Sequence, residues 1–93
     1  MSDDKMPSDA TFRHASKIAV KCEKPIMLDY WLKSLGSSVV IGIRGTGEKL
    51  LVKNEEEYTS PIAKIYKVEN EYIIETENSL YIVVATIATK RIS

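Results

Sequence analysis

Hydrophobic and polar positions along this chain follow two different periods, and the change comes at Gly36. Over residues 25–35, large apolar and aromatic side chains recur three and four positions apart, which is the spacing of one helix face. Pro25 suits the first position of a helix, and Gly36 suits the residue just past its end. The pattern therefore predicts one short helix over residues 25–35, which needs packing against the rest of the domain to persist.

After Gly36 the apolar residues are β-branched or alternate with polar ones, and turn residues separate the runs. This pattern predicts a hairpin around residues 45–47, followed by consecutive strands joined by polar turns. Pro61 is expected at a strand start or on a sheet edge, because it cannot donate a ladder hydrogen bond. The predicted strands cover residues 39–44, 48–53, 63–68, 72–76 and 80–84, and residues 85–92 either continue the last strand or add another.

The segment before residue 25 predicts a tail and one more strand. Residues 1–11 are polar and contain Pro7, so little burial would offset an ordering cost of about 1–2 kcal/mol per residue. We therefore expect a disordered tail over residues 1–11 and a single β-rich domain over residues 12–93. Within residues 16–22, Ile18, Val20 and Cys22 alternate with lysine and alanine, which predicts a strand with one buried face.

Turns recur about every 8–12 residues, which is typical of consecutive antiparallel strands. The predicted fold is mainly β: an antiparallel meander of five to six strands that forms a small barrel or sandwich, with one short helix. With 93 residues the chain is long enough for one domain and a modest core, but it leaves little room for a deep substrate cavity.

Charge, hydropathy and cysteine content limit the classes of partner and the compartment that we expect. Thirteen basic residues balance thirteen acidic ones, so the chain as a whole has no long-range field that would attract nucleic acid or an anionic membrane. No apolar run approaches the roughly 20 residues that span a bilayer, and residues 1–10 lack the apolar core of a signal peptide. Cys22 is the single cysteine, which favours a reducing intracellular compartment.

The sequence lacks the residue combinations that catalysis needs. His14 is the single histidine and has no partner at a triad or metal spacing, so we interpret it as a surface residue. Cys22 ends a predicted buried face and is interpreted as a core thiol. We therefore expect a protein that is not an enzyme and that uses no cofactor, no metal and no small-molecule substrate.

Two local motifs have simple structural explanations. Gly42, Gly45 and Gly47 resemble a phosphate-binding loop, but a predicted strand follows them where a helix N-terminus would be required. Glu55, Glu56 and Glu57 are adjacent and lack the spacing of calcium ligands, so they are expected to form a solvated loop.

Charge order along the chain suggests protein contacts. Residues 12–53 carry eight basic and three acidic residues, whereas residues 54–77 carry two basic and seven acidic. These segments either form opposite faces or interleave as surface ion pairs worth about 0–1 kcal/mol each, and we favour the second arrangement.

Tyr30 and Trp31 are either interface anchors or core residues, with core favoured for Trp31. The partner-binding candidates are Tyr30, Trp31, Glu55, Glu56, Glu57, Lys17, Lys21, Lys49 and Lys53.

Three stretches, K-P-I-M-L-D-Y-W (24–31), G-E-K-L-L-V-K-N-E-E-E-Y-T-S-P-I (47–62) and T-E-N-S-L-Y-I-V (76–83), resemble a group of short β-rich proteins from large double-stranded DNA viruses. The resemblance implies a viral protein that forms part of a particle, and it brings no catalytic residues with it. The predicted function is a structural or protein-interaction module, such as a minor component of a viral particle or assembly, whose partners are copies of itself or other subunits. For a viral protein, the expected compartment is the host cytoplasm or the virion.

The alternative function is a small barrel that binds nucleic acid on a basic, aromatic strand face. The basic residues would come from the strands and the segment before them, and tyrosines would stack on the bases. The candidates for this face are Lys17, Lys21, Arg44, Lys49 and Lys53, with Tyr66, Tyr72 and Tyr81.

Overall fold

Two four-stranded sheets and two helices form this protein, in a computed structural model that describes residues 6–92. The helices are α1 (Asp9–Cys22) and α2 (Trp31–Leu35). The strands are β1 (Ile26–Met27), β2 (Val40–Ile43), β3 (Lys49–Asn54), β4 (Glu57–Tyr58), β5 (Ile62–Val68), β6 (Glu71–Thr76), β7 (Leu80–Val84) and β8 (Ala88–Arg91). The mainly-β prediction is confirmed, and within residues 6–92 neither sheet closes into a barrel.

The central sheet has the strand order β1-β7-β6-β5. Strands β5, β6 and β7 form the predicted antiparallel meander, and β7 has the bounds that the sequence predicted. Strand β1 joins in parallel beside β7, with Ile26 opposite Leu80. Pro61 directly precedes the edge strand β5, as expected for a residue without a backbone donor.

The outer sheet has the strand order β4-β3-β2-β8. Strands β2 and β3 form the predicted hairpin, in which Val40 lies opposite Val52. Its turn ends at Gly47, whose φ of 94° lies in the region that favours glycine. Residues 85–92 add a separate strand, because β8 leaves the central sheet and pairs in parallel with β2.

Side chains of the central sheet alternate between two hydrophobic clusters. One cluster lies between the sheets and joins Ile74 and Val83 to Ile41 and Leu51 of the outer sheet. The other lies under the helices and is built from Ala15, Trp31, Ile73, Leu80 and Ile82. The central sheet is therefore covered on both faces, whereas the outer sheet is covered by protein on one face.

The strand predicted over residues 16–22 was wrong, and the end of the predicted tail is helical. Residues 16–22 belong to helix α1, and the helix already begins at Asp9, within the predicted tail. Ser8 caps it, because its hydroxyl accepts the Thr11 N–H at 3.2 Å. Val20, which the alternation placed on a buried face, is 80% exposed. Residues 1–5 of the predicted tail lie outside the described residues.

Helix α1 forms because its apolar side chains also fit the helical period. Phe12, Ala15, Ala19 and Cys22 follow each other at intervals of three or four residues. Ala15 is fully buried, and Phe12 and Ala19 pack against the same cluster. Burial of this face against the central sheet outweighs the local alternation of residues 16–22.

The helix predicted over residues 25–35 is helical in its last five residues. Its first part is strand β1, because the Leu80 N–H donates to the Pro25 carbonyl at 2.9 Å and β1 then pairs with β7. Gly36 lies at the C-cap of α2, where the sequence placed it. The long-range strand pairing therefore competes successfully with a helical pattern that is only local.

Candidate functional site

Among residues 6–92, no helix or other sheet packs on one face of the outer sheet, here called the open face. Paired residues of neighbouring strands point to the same side of a sheet. Ile41 and Leu51 point into the core, so the residues one position away point outward. The register places two rows on the open face, one of Val40, Val52, Tyr58 and Ala88, the other of Gly42, Leu50 and Lys90. Gly42 and Leu50 are buried even on this face.

A groove of about 650 Å³ lies on the open face. Its apolar lining comes from Val40, Leu50, Val52, Tyr58 and Ile92. Tyr58 is 51% exposed and Ile92 is 42% exposed, although both are large apolar side chains. Polar residues surround this lining: Ser37, Ser38, Arg44, Lys53, Asn54, Glu55 and Lys90.

Gly42 allows Ile92 to lie flat on the open face. A Cβ at Gly42 would lie 2.8 Å from Ile92 Cδ1 and 3.1 Å from Val52 Cγ2. The Ile92 N–H donates to the Ile43 carbonyl at 2.9 Å, which fixes the backbone beside β2. The glycine that the sequence placed near a phosphate-loop pattern therefore permits close approach of a side chain within a sheet.

The charged rim of the groove is mainly basic. Arg44 lies 3.6 Å from Glu48, and Lys53 lies 3.8 Å from Glu57 and 4.5 Å from the centre of the Tyr30 ring. Lys90 has no ion-pair partner among residues 6–92. Glu55 is the single acidic side chain among the described lining residues, so the groove is suited to a ligand with acidic groups.

Tyr30 and Trp31, two of the sequence candidates, lie in the core. Tyr30 is 5% exposed in the cluster between the sheets, and its ring meets that of Tyr81 edge to face at 5.1 Å. Burial, followed by the nearby Tyr81 and Asp29, raises the pKa of Tyr30 to about 12. Trp31 is 3% exposed under the helices, which confirms the core interpretation.

The lysine candidates fall into two groups. Lys17 and Lys21 lie on the exposed side of α1, whereas Lys49 and Lys53 belong to β3 of the outer sheet. Because α1 and the outer sheet cover opposite faces of the central sheet, the structure does not bring these four lysines together.

Of the glutamate candidates, Glu55 and Glu56 form the tight turn between β3 and β4, and Glu57 begins β4. The Asn54 side-chain oxygen accepts the N–H groups of Glu56 and Glu57 at 2.8 and 3.0 Å, which shapes the turn. Glu55 and Glu56 are exposed there and have no ion pair within residues 6–92. Glu57 pairs with Lys53, so part of the charge is balanced within the hairpin.

The three tyrosines proposed for base stacking are partly buried. Tyr66 contacts the cluster under the helices, and Tyr72 and Tyr81 contact the cluster between the sheets. The exposed aromatic residue of the groove is Tyr58, which sequence analysis did not select. Tyr58 lies on the open face because it pairs with Val52 across the β3–β4 turn. The sequence did not predict this pairing, so Tyr58 was not selected.

A second polar cluster fixes helix α1 to the central sheet. Lys24 Nζ donates to Glu75 Oε2 and to the Thr76 carbonyl, both at 2.8 Å, and the Tyr66 hydroxyl lies 3.3 Å from Glu75 Oε1. The hydrogen bond from Lys24 lowers the pKa of Glu75, and burial followed by Glu75 raises the pKa of Tyr66. These groups satisfy each other and do not line the groove, so their role is structural.

The start of α1 is held in the same way. Glu71 accepts the Ser8 N–H at 3.0 Å and the Thr11 hydroxyl at 2.5 Å. A carboxylate at a helix N-terminus also interacts favourably with the helix dipole. Strand β6 therefore supplies one glutamate to each end of the helix.

The two residues considered for chemistry lie on α1. His14 is exposed, and Cys22 is half-buried rather than in the core. Among residues 6–92, no three histidine, cysteine, aspartate or glutamate side chains come together as a metal site.

Neither helix of the described part is long and apolar enough to cross a membrane. No protein-family model matches the chain, and no curated protein and no solved structure matches it either. The resemblance to the viral group stays a prediction.

Proposed function

We propose that this protein is a non-enzymatic interaction module that binds another protein in the groove of the open face. The observation that carries the proposal is a groove on the open face whose apolar lining includes two exposed side chains, Tyr58 and Ile92. Exposed apolar patches with a polar rim are typical of interaction sites.

The partner segment is extended and carries both apolar and acidic side chains. Its apolar groups would replace water over Val52, Tyr58 and Ile92, and a tyrosine at the centre of an interface is a common anchor. Its acidic groups would meet Lys90 and the other basic residues of the rim. An acidic, extended segment therefore matches the groove in both polarity and charge.

The open form of the groove favours a chain segment over a small substrate. Small-molecule sites enclose most of their ligand and place polar groups at its reacting centre. Here the apolar side chains lie along the strands of a sheet, and the described lining contains neither histidine nor cysteine. In a viral particle or another assembly, such a module would act as a minor connecting component.

Selection from a displayed library of random peptides tests this function. We expect the enriched peptides to combine apolar with acidic residues and to bind the wild-type protein in fluorescence anisotropy. Val52→Glu should weaken the binding at least tenfold, because it buries a repelling charge among apolar groups. The matched control is Val20→Glu on the exposed side of α1, which should bind like wild type.

Thermal unfolding of both variants separates loss of binding from loss of folding, and Tyr58→Ala provides a second variant with an exposed side chain. Equal binding by wild type and both groove variants would contradict the proposal. Salt-dependent binding of a random-sequence oligonucleotide that Lys90→Glu weakens would instead favour the nucleic-acid alternative.

A further inference from the structure

The two edges of the outer sheet carry opposite charge. At one edge, the turn into β4 contains Glu55 and Glu56, which are exposed. At the other edge, β8 ends with Lys90 and Arg91, which are also exposed. None of these four residues has an ion-pair partner among residues 6–92, so their charges are available to another molecule.

Both edges also carry unpaired backbone groups. The N–H and C=O of one residue in a strand point to the same side, and the direction alternates along the strand. The Ile92 N–H points to β2, so Thr89 and Arg91 direct their groups to the open side of β8. The Thr59 N–H points to β3, so Tyr58 directs its groups to the open side of β4.

We propose that a second copy of this chain continues the outer sheet, with the β8 edge of one copy beside the β4 edge of the next. This assembly goes beyond the groove function and does not depend on it. Lys90 and Arg91 would meet Glu55 and Glu56 of the neighbour, and backbone hydrogen bonds would join the two edges.

Strand direction permits this arrangement. Strand β8 is parallel to β2, and β4 runs in the same direction because it is antiparallel to β3, which is antiparallel to β2. A neighbour in the same orientation therefore offers β4 as a parallel partner for β8. Repeating the contact produces an open row of copies, since each copy uses two different edges.

Pairing of identical edges is unfavourable by the same charges. Two β8 edges would bring Lys90 and Arg91 against their own counterparts, and two β4 edges would bring the glutamates together. Charged residues on short edge strands normally prevent aggregation. Here they exclude symmetric dimers but favour head-to-tail contacts.

The association is expected to be weak and to depend on salt. Strand β4 has two residues, so few backbone hydrogen bonds can form. The charge attraction is largely screened beyond about 8–10 Å at ordinary ionic strength. Sedimentation velocity over a range of protein concentrations should therefore show larger species at about 0.02 M salt and fewer at about 0.5 M salt.

Charge exchange provides the decisive test. Glu55→Lys with Glu56→Lys makes both edges basic, and Lys90→Glu with Arg91→Glu makes both acidic, so each variant alone should remain monomeric. An equimolar mixture of the two should associate again, and so should the variant with all four changes. Glu57 is left intact because it pairs with Lys53 within the hairpin.

The control is Lys17→Glu with Lys21→Glu on α1, which should associate like wild type. The proposal is overturned by a wild-type protein that is monomeric at every salt and protein concentration. It is equally overturned if either charge-reversed variant still associates alone, or if their mixture stays monomeric. Peptide binding in the groove is measured at protein concentrations where the wild type is monomeric, so the two proposals can fail separately.

Discussion

The helix-covered face of the central sheet and the open face of the outer sheet differ in how far their apolar side chains are buried. Under the helices, Ile73, Leu80 and Ile82 are fully buried. On the open face, Leu50 is also buried, but Val52 is half-buried and Tyr58 is 51% exposed. Strands with similar alternation thus produce a closed core on one side of the molecule and an accessible apolar surface on the other.

The difference lies in how the cover is attached. Glu71 and Glu75 of β6 hold the two ends of helix α1 by hydrogen bonds and an ion pair. The open face has only Ile92, which lies over Gly42 without a polar contact of its side chain. The helix is therefore a fixed part of the fold, and the open face is the surface on which we propose that a partner binds.

The largest expected effect is the difference in stability loss between a substitution under the helices and one on the open face. Ile73→Ala should lower the free energy of unfolding by about 2–5 kcal/mol, because it leaves a cavity under α1. Tyr58→Ala should lower it by less than about 1 kcal/mol, because this side chain is half exposed. Chemical denaturation measures both. Similar losses for the two variants would show that the faces do not differ in burial.

A smaller loss of unfolding free energy is expected when the contact between Lys24 and the central sheet is removed. Lys24→Met removes the ion pair with Glu75 and the hydrogen bond to the Thr76 carbonyl, and should cost about 1.5–3 kcal/mol. Lys24 follows the C-cap of α1; the control Lys21→Met, at an exposed lysine within the helix, should change stability by about 0.5 kcal/mol or less. Denaturation curves with equal midpoints for the two variants would contradict the role of this contact.

Acid should weaken the same attachment. Because the folded-state pKa of Glu75 is lowered, its contribution to stability is present above the unfolded pKa of about 4.3 and is lost as the pH falls through the folded value. Glu75→Gln, which cannot ionise, should lose less stability than wild type between neutral pH and about pH 3. Parallel stability curves for the two proteins would be the contrary result.

The smallest expected effect concerns the open face alone. Gly42→Ala places a methyl group against Ile92, which must move away from the sheet. Since Ile92 is partly exposed and can shift, the cost should be about 1 kcal/mol. Ile92→Ala in the same background should relieve it. A double variant as unstable as the sum of its single changes would mean that the two residues do not collide.

The strand pairings that the sequence predicted are those between neighbouring strands in the chain. The β2–β3 hairpin and strands β5 to β7 were predicted because each strand pairs with its neighbour in the chain across a short polar turn. Two parallel pairings, β1 with β7 and β2 with β8, join distant segments and leave no local signal. For this reason the sequence left a barrel and a sandwich open, and it predicted five to six strands where the described residues form eight.

Helix α1 was missed because residues 16–22 satisfy two periods at once. Ile18, Val20 and Cys22 alternate as in a strand, while Phe12, Ala15 and Ala19 have helical spacing. Ser8, which caps this helix, was not considered as a cap because it lies within the predicted tail. Burial against the central sheet decides between the periods, and the sequence alone does not contain that contact.

The candidate site was predicted in part. Lys53 and Glu55 were selected for their charge, and both line the groove. Tyr30 and Trp31 were selected as aromatic anchors but are buried, whereas Tyr58 is exposed. Which aromatic residue stays at the surface depends on strand register and on the layer above it.

The most direct test of the docking face is a titration of the ¹⁵N-labelled protein with a selected peptide, followed by backbone amide chemical shifts. We expect the largest changes in β2, β3 and β4 around Val40, Val52 and Tyr58, and almost none along the exposed side of α1. Shift changes concentrated at Lys17 and Val20, with the outer sheet unaffected, would contradict the account.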